Sequence, residues 1–206
     1  KSRAEKIVSY PPHAETEKRL GYVFSDKNLL QKALTHTTFA NTVGGESNQR
    51  LEFLGDAILS AVVAEFLYRN FSEREGKLSK MRSNLVDEES LAKVIDKMGI
   101  QSHLRVFDGD AHELSNRASV KADLFEALLG AIFLDSNYHT ASGWALNKLG
   151  IDRTNASKKI VATKDFKSML QEEMQHQGKK VEYKLIKQEG KPHMREYTIQ
   201  IFIDNK

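Results

Sequence analysis

The sequence predicts an all-α domain followed by a small α+β unit of order α-β-β. Between about residues 25 and 150 apolar residues recur at helical spacing, and nothing alternates like a strand. Past residue 163 the period changes: one helical run gives way to two alternating runs. No apolar stretch nears the roughly 20 residues that span a bilayer. The expected organisation is a polar arm (1–15), a helical domain (16–150), a linker (151–163) and the α+β unit (164–206).

The elements follow in order. Residues 1–15 are polar and carry Pro11-Pro12, so they read as an arm. Ser25 stands where an N-cap belongs, ahead of Leu29, Leu30, Ala33 and Leu34. A polar, glycine-bearing stretch (41–48) precedes a long helical signal from about 50 to 71. Further helices are expected at 77–86, 90–98, 120–135 and 140–149. Residues 151–163 are short, polar and lysine-bearing. Phe166, Leu170 and Met174 then repeat every four residues, and Gly178 ends that helix. Residues 181–186 and 197–203 alternate across a turn at 190–193. Two strands and one helix make a thin core.

The apolar share of 40% and charged share of 29% are those of a globular protein. The absence of cysteine excludes disulfides, thiolate metal sites and cysteine nucleophiles, and suits a reducing compartment. With no secretory leader in the sequence, which opens at Lys1 without Met, the expected location is cytoplasmic, or nuclear or organellar in a eukaryote. The net charge is only +3, yet Ser157 to Lys206 holds 11 Lys and Arg against 7 Asp and Glu. A basic excess in the tail suits a polyanionic partner.

The chemistry sits on two apolar helices. The one beginning near Arg50 is nearly all apolar and should be largely buried, yet it contains Glu52 and Asp56. Four residues apart, they share a face. The helix over 120–135 repeats the oddity with Asp123 and Glu126, three apart. Buried carboxylates need cations. Either Arg and Lys neutralise each pair, or two facing helices form an all-oxygen cluster suited to Mg²⁺ or Mn²⁺. Two such pairs favour the metal.

Asn48-Gln-Arg-Leu-Glu-Phe-Leu-Gly-Asp56 resembles the signature of the ribonuclease III family, and Ala122-Asp-Leu-Phe-Glu-Ala-Leu-Leu-Gly-Ala131 its second catalytic segment. Glu75-Gly76, Leu78, Arg82, Leu85-Val86 and the upstream Leu29-Leu30, Ala33-Leu34-Thr35-His36 also match, so the likeness covers roughly 18–150. It implies an all-helical nuclease domain that dimerises around a valley for double-stranded RNA. By that resemblance Glu52, Asp56, Asp123 and Glu126 are the catalytic, metal-binding carboxylates, holding Mg²⁺ or in its place Mn²⁺. Cuts would be staggered and leave 5′-phosphates and 3′-hydroxyls, with precursor ribosomal RNA as a family-level substrate. No organic cofactor is implied. Phe53 maps onto the dimer-interface aromatic and Glu75 onto an acidic residue of the valley. The chain departs from the family at Gln49, usually Glu, where altered RNA contact is expected, and over 112–117, where paired glycines are usual.

The tail resembles the start of a double-stranded-RNA-binding domain, an incomplete α-β-β-β-α. Asp165-Phe-Lys-Ser-Met-Leu-Gln-Glu172 matches its first helix and Gly190-Lys-Pro-His193 its first strand loop. Gln171, Glu172 and His193 would then reach minor grooves of A-form RNA. The family's third strand and lysine-bearing second helix do not follow in this sequence, so weak RNA binding is expected. The alternative function is a catalytically silent relative acting as an RNA-binding or ribosomal structural protein, which would be expected to lose carboxylates. A di-iron bundle needs two Glu-x-x-His motifs on core helices. The single match, Glu173-Met-Gln-His176, stands in the tail.

Overall fold

A computed structural model describes residues 11–107, 111–162, 166–189 and 196–204. The chain divides into two compact units, Lys1–Ile160 and Val161–Lys206.

Apart from loops and an isolated bridge between Thr35 and Arg105, the first unit is built of helices, the last of which runs just past its end: α1 His13–Leu20, α2 Lys27–Ala33, α3 Thr37–Val43, α4 Gln49–Asn70, α5 Glu75–Leu85, α6 Glu88–Met98, α7 Ala111–Asn116, α8 Ala118–Asp135, α9 Tyr138–Leu149 and α10 Arg153–Ala162. Its centre is α8, where Leu124, Phe125 and the run from Ala127 to Ile132 are buried. Around it pack α4, α6, α2 and α9, with α4 making the most extensive contact. Leu59, Val63 and Leu67 of α4 and Leu91 and Ile95 of α6 close the core. Each such side chain contributes roughly 1.5–3 kcal/mol by leaving water. Trp144 of α9 stacks on Phe125 with ring centroids 5.2 Å apart, and its Nε1 donates to the Leu20 carbonyl at 3.0 Å.

Several expectations need correction. Asp26, not Ser25, caps α2, accepting from Asn28 N at 2.9 Å. Ser25 N is held instead by Asp135 Oδ2 at 2.9 Å. The arm expected over 1–15 overlaps α1, whose inner face is largely polar. Thr16 is buried against His103 Nδ1 at 2.7 Å, and Glu17 Oε1 accepts from Phe24 N at 2.8 Å and from Lys27. Residues 1–10 lie outside the described set. The stretch read as a linker is helical as α10, with Ile151 and Ala156 buried. Helices α3 and α7 fall where no helix was expected. The largely buried helix expected from residue 50 is half exposed: Phe53 is 79% and Tyr68 80% exposed.

In the second unit α11 (Phe166–His176) precedes β1 (Val181–Glu189) and β2 (Glu196–Ile203). The strands pair antiparallel, Val181 opposite Ile203 and Leu185 opposite Ile199, with an irregularity between Leu185 and Lys187. The turn expected at 190–193 lies outside the described residues.

Candidate active site

The site is made by two missing side chains. A Cβ added to Gly55 of α4 would fall well inside 3.0 Å of the Glu126 carbonyl oxygen, and one on Gly130 of α8 inside 3.0 Å of the Leu51 carbonyl. Leu51 meets Gly130 while Gly55 meets Glu126, so the helices run antiparallel with their backbones in contact. Asp56 adjoins one glycine, Glu52 lies a turn before it, and Asp123 lies a turn before Glu126. The crossing therefore drives both carboxylate pairs toward one point.

Electrostatics record the convergence. Burial raises the Glu126 carboxyl to about 7, aided by the charges of Asp56, Asp123 and Glu52. Burial, then Asp123 and Asp56, raise Glu52. Burial also raises Asp123, against a lowering by His36 and with a further rise from Glu88. Glu52, Asp123 and Glu126 are half-buried, while Asp56 is exposed, at variance with a wholly buried cluster. Among the described residues, none of the four carboxylates has a side-chain hydrogen bond or an ion pair, so no described Arg or Lys neutralises them. The donor set is all oxygen and suits a hard divalent cation. As the side chains stand, no three acidic or histidine groups among the described residues close tightly enough to hold an ion. Like charges disfavour closer approach without a cation between them, and closing would need rotation about side-chain bonds.

Other expected site residues are scattered. Gln49 opens α4 and is exposed. Glu75 opens α5 and accepts from Ser79 Oγ at 2.8 Å. It lines a cleft of about 690 Å³ with Tyr68, Phe71, Leu78 and Arg82. That cleft sits at the C-terminal end of α4, so within one chain Glu75 does not join the cluster. Gln171 is exposed on α11, and Glu172 is on the same helix, its side chain outside the described set. His193 lies outside the described residues.

Comparisons with known proteins agree with this architecture. The Ribonuclease-III-like family model matches residues 26–152, and the double-stranded RNA binding motif matches 166–206. Ribonuclease 3 of Symbiobacterium thermophilum is 38% identical over 190 residues, covering 91% of this chain and 80% of that protein. The chain belongs to the ribonuclease III family. Ribonuclease 3 of Fusobacterium nucleatum is 39% identical, covering 93% of this chain and 84% of its own length. The nuclease domain of ribonuclease III from Campylobacter jejuni superposes with a TM-score of 0.63 at 37% identity, over 67% of this chain and 96% of that one. This ribonuclease III is a double-stranded-RNA endoribonuclease by class, with its carboxylates on the matched nuclease portion.

Sequence reasoning missed four features of this ribonuclease III. Glu88 at the start of α6 acts on Asp123. His36 is lowered by burial, against a rise from the charge of Asp123. Lys121, a lone cation in an apolar helix, is buried and ion-paired to Asp96 of α6 at 2.6 Å. The fourth is the Gly55–Gly130 contact; glycines inside apolar helices are the one sequence signal for it.

A pH dependence follows. Glu126 holds its proton up to about 7 in the fold but only to its ordinary 4.5 when unfolded. Between those values the native state binds more protons, so this contribution to stability falls as pH rises. It is at most roughly 3 kcal/mol, and less because water reaches the group. In EDTA, thermal melts of the parent should lose stability from pH 4.5 to 7 relative to Glu126→Gln. Parallel curves for the two proteins would refute the assignment.

Proposed function

We propose that the chain hydrolyses phosphodiester bonds of double-stranded RNA as a Mg²⁺-dependent homodimer, leaving staggered ends with 5′-phosphates and 3′-hydroxyls. The observation that carries it is the convergence of four carboxylates on α4 and α8 with no Lys or Arg of the described residues paired to them. Glu52, Asp56, Asp123 and Glu126 would hold Mg²⁺, with Mn²⁺ able to replace it. The bound ion supplies an activated water and charge stabilisation at the leaving 3′ oxygen. The chain's own part is to orient: the helix crossing fixes where the carboxylates point, and their charge selects a divalent cation over a monovalent one. Gln49, Glu75, Gln171, Glu172 and His193 are the proposed RNA contacts. Precursor ribosomal RNA and a cytoplasmic location complete the reading, and the bounds 16–150 and 164–206 are proposed for its two domains.

The dimer reading rests on α4. Phe53, Ala57 and Ala61, four residues apart, form an exposed apolar stripe on one face. The Campylobacter jejuni structure is described for flexibility in a region involved in dimer formation. A two-fold pair would let Phe53 of each copy enter the cleft beside Phe71 and Leu78 of the other, since a two-fold contact uses the same patches twice. Glu75 would then be brought toward the partner's carboxylates. Phe53→Glu should weaken the dimer by roughly 2 kcal/mol or more, about thirtyfold in Kd. Sedimentation showing an unchanged dimer would refute this interface.

The test of function is a cleavage gel on a long perfect RNA duplex in Mg²⁺, Mn²⁺ and EDTA, with the ends mapped. Short duplexes with 5′-phosphates, formed only with a divalent ion, are expected. Binding without cutting in both ions would favour a silent structural protein.

A further inference from the structure

Glu46 is an anion set between two cations drawn from different elements. It lies in the loop that joins α3 to α4. Its carboxylate pairs with Lys32 Nζ of α2 and stands 3.9 Å from the Arg50 guanidinium, in the first turn of α4. The Lys32 ammonium holds the Glu46 carboxyl below its ordinary range, so the acid is ionised at neutral pH. At 3.9 Å Arg50 is beyond hydrogen-bond reach of Glu46, and 91% of its side chain is exposed. The guanidinium therefore keeps its planar fork of donors open, a shape that matches two oxygens of a phosphate. The Glu46 side chain is itself 59% exposed, and exposed pairs of this kind are weak and give way to competing ions.

The loop beneath is bare. Gly44, Gly45, Glu46 and Ser47 donate no backbone hydrogen bond to a described residue. A Cβ added to Gly44 or Gly45 would meet nothing within 4 Å, so the backbone there is open to an approaching group. At 1.5 Å per residue, Arg50 lies about 3 Å along α4 from Glu52 and about 9 Å from Asp56. A duplex engaged at the carboxylates is thus within reach of the Arg50 side chain.

We propose that Glu46 stands in for a phosphate: a backbone phosphate of double-stranded RNA displaces its carboxylate and is held by Lys32, Arg50 and the free N–H groups of the loop. The inference rests on the nuclease reading above and adds to it a contact beside the carboxylates. The contact is to the phosphodiester and carries no sequence preference. Until RNA arrives, Glu46 shields the two cations from each other and from stray anions, at a cost in affinity for the duplex.

The test is titration of a short labelled RNA duplex with the full chain in EDTA, read by fluorescence anisotropy at several salt concentrations, with thermal melts beside it. Arg50→Gln should weaken binding about threefold to tenfold and lower the slope of log affinity against log salt by about one, as the loss of one phosphate contact requires. Glu46→Gln should tighten binding about threefold or more by removing the competitor. The double variant should lose that gain. Glu15→Gln makes the same change of charge on α1, where it unpairs Arg19, and should bind like the parent. All of these pairs are exposed, so every variant should melt like the parent. Unchanged affinity in Glu46→Gln or Arg50→Gln, or equal tightening in Glu15→Gln, overturns the exchange alone when the parent still cuts the duplex on return of Mg²⁺. A parent that neither binds nor cuts the duplex overturns both the exchange and the nuclease reading beneath it.

Discussion

Glu126→Gln is expected to lower cleavage of duplex RNA by about 10³-fold or more while the protein stays folded. Charge stabilisation by a bound divalent ion is worth several kcal/mol at the transition state, and each 1.4 kcal/mol or so is tenfold in rate. Glutamine preserves the shape of the side chain but removes the charge of a proposed ligand from the most strongly perturbed position in the cluster. The loss should fall on kcat, with KM for the duplex nearly unchanged, because Glu126 is half-buried and offers little surface to a duplex. Single-turnover cleavage with an excess of enzyme isolates that step. A variant within tenfold of the parent would mean that this carboxylate holds no ion.

Gly55→Ala should produce the opposite pattern, failing in the fold before it fails in chemistry. The added methyl meets backbone, not a flexible side chain, so α4 and α8 must separate. Overpacking of this kind costs roughly 3 kcal/mol or more, which in a unit of this size lowers Tm by about 6–12 °C. Separation also moves Asp56 from Glu126, so residual cleavage at low temperature should need more Mg²⁺. Gly143→Ala is the internal control. It lies within α9, and a Cβ there meets nothing within 4 Å. That change should be neutral or stabilise by about 0.5–1 kcal/mol, as alanine is the better helix former. Equal melting of the two variants would refute the close crossing.

What was legible in the sequence follows from physical cost. A carboxylate in an apolar helix is expensive, so Glu52, Asp56, Asp123 and Glu126 stood out by position alone. The long helices α4 and α8 were visible because apolar runs of that length have few other uses. The short helices were hidden by their composition. Helix α3 is rich in β-branched Thr37, Thr38, Thr42 and Val43, which disfavour helix, and its cap is a histidine. Helix α1 buries Thr16 and Glu17, residues that read as solvent-facing until their partners 87 and 7 residues away are known. Phe53 belonged to an apolar run that read as buried, and only the family likeness set it apart as an interface aromatic; in the chain by itself it is 79% exposed. The glycine crossing was out of reach because no local pattern says which two helices touch.

The uncompensated charge between α4 and α8 has a consequence outside catalysis. Where no described Lys or Arg pairs with such acids, a bound cation would complete the fold, and mass action would then tie the native population to the free level of that ion. An ion present at a hundred times its dissociation constant adds roughly 2.7 kcal/mol. Resistance to proteolysis should therefore track divalent-ion supply. Depletion that halts cleavage would also shorten the lifetime of the enzyme, so the same ion would set both how fast the protein works and how long it lasts.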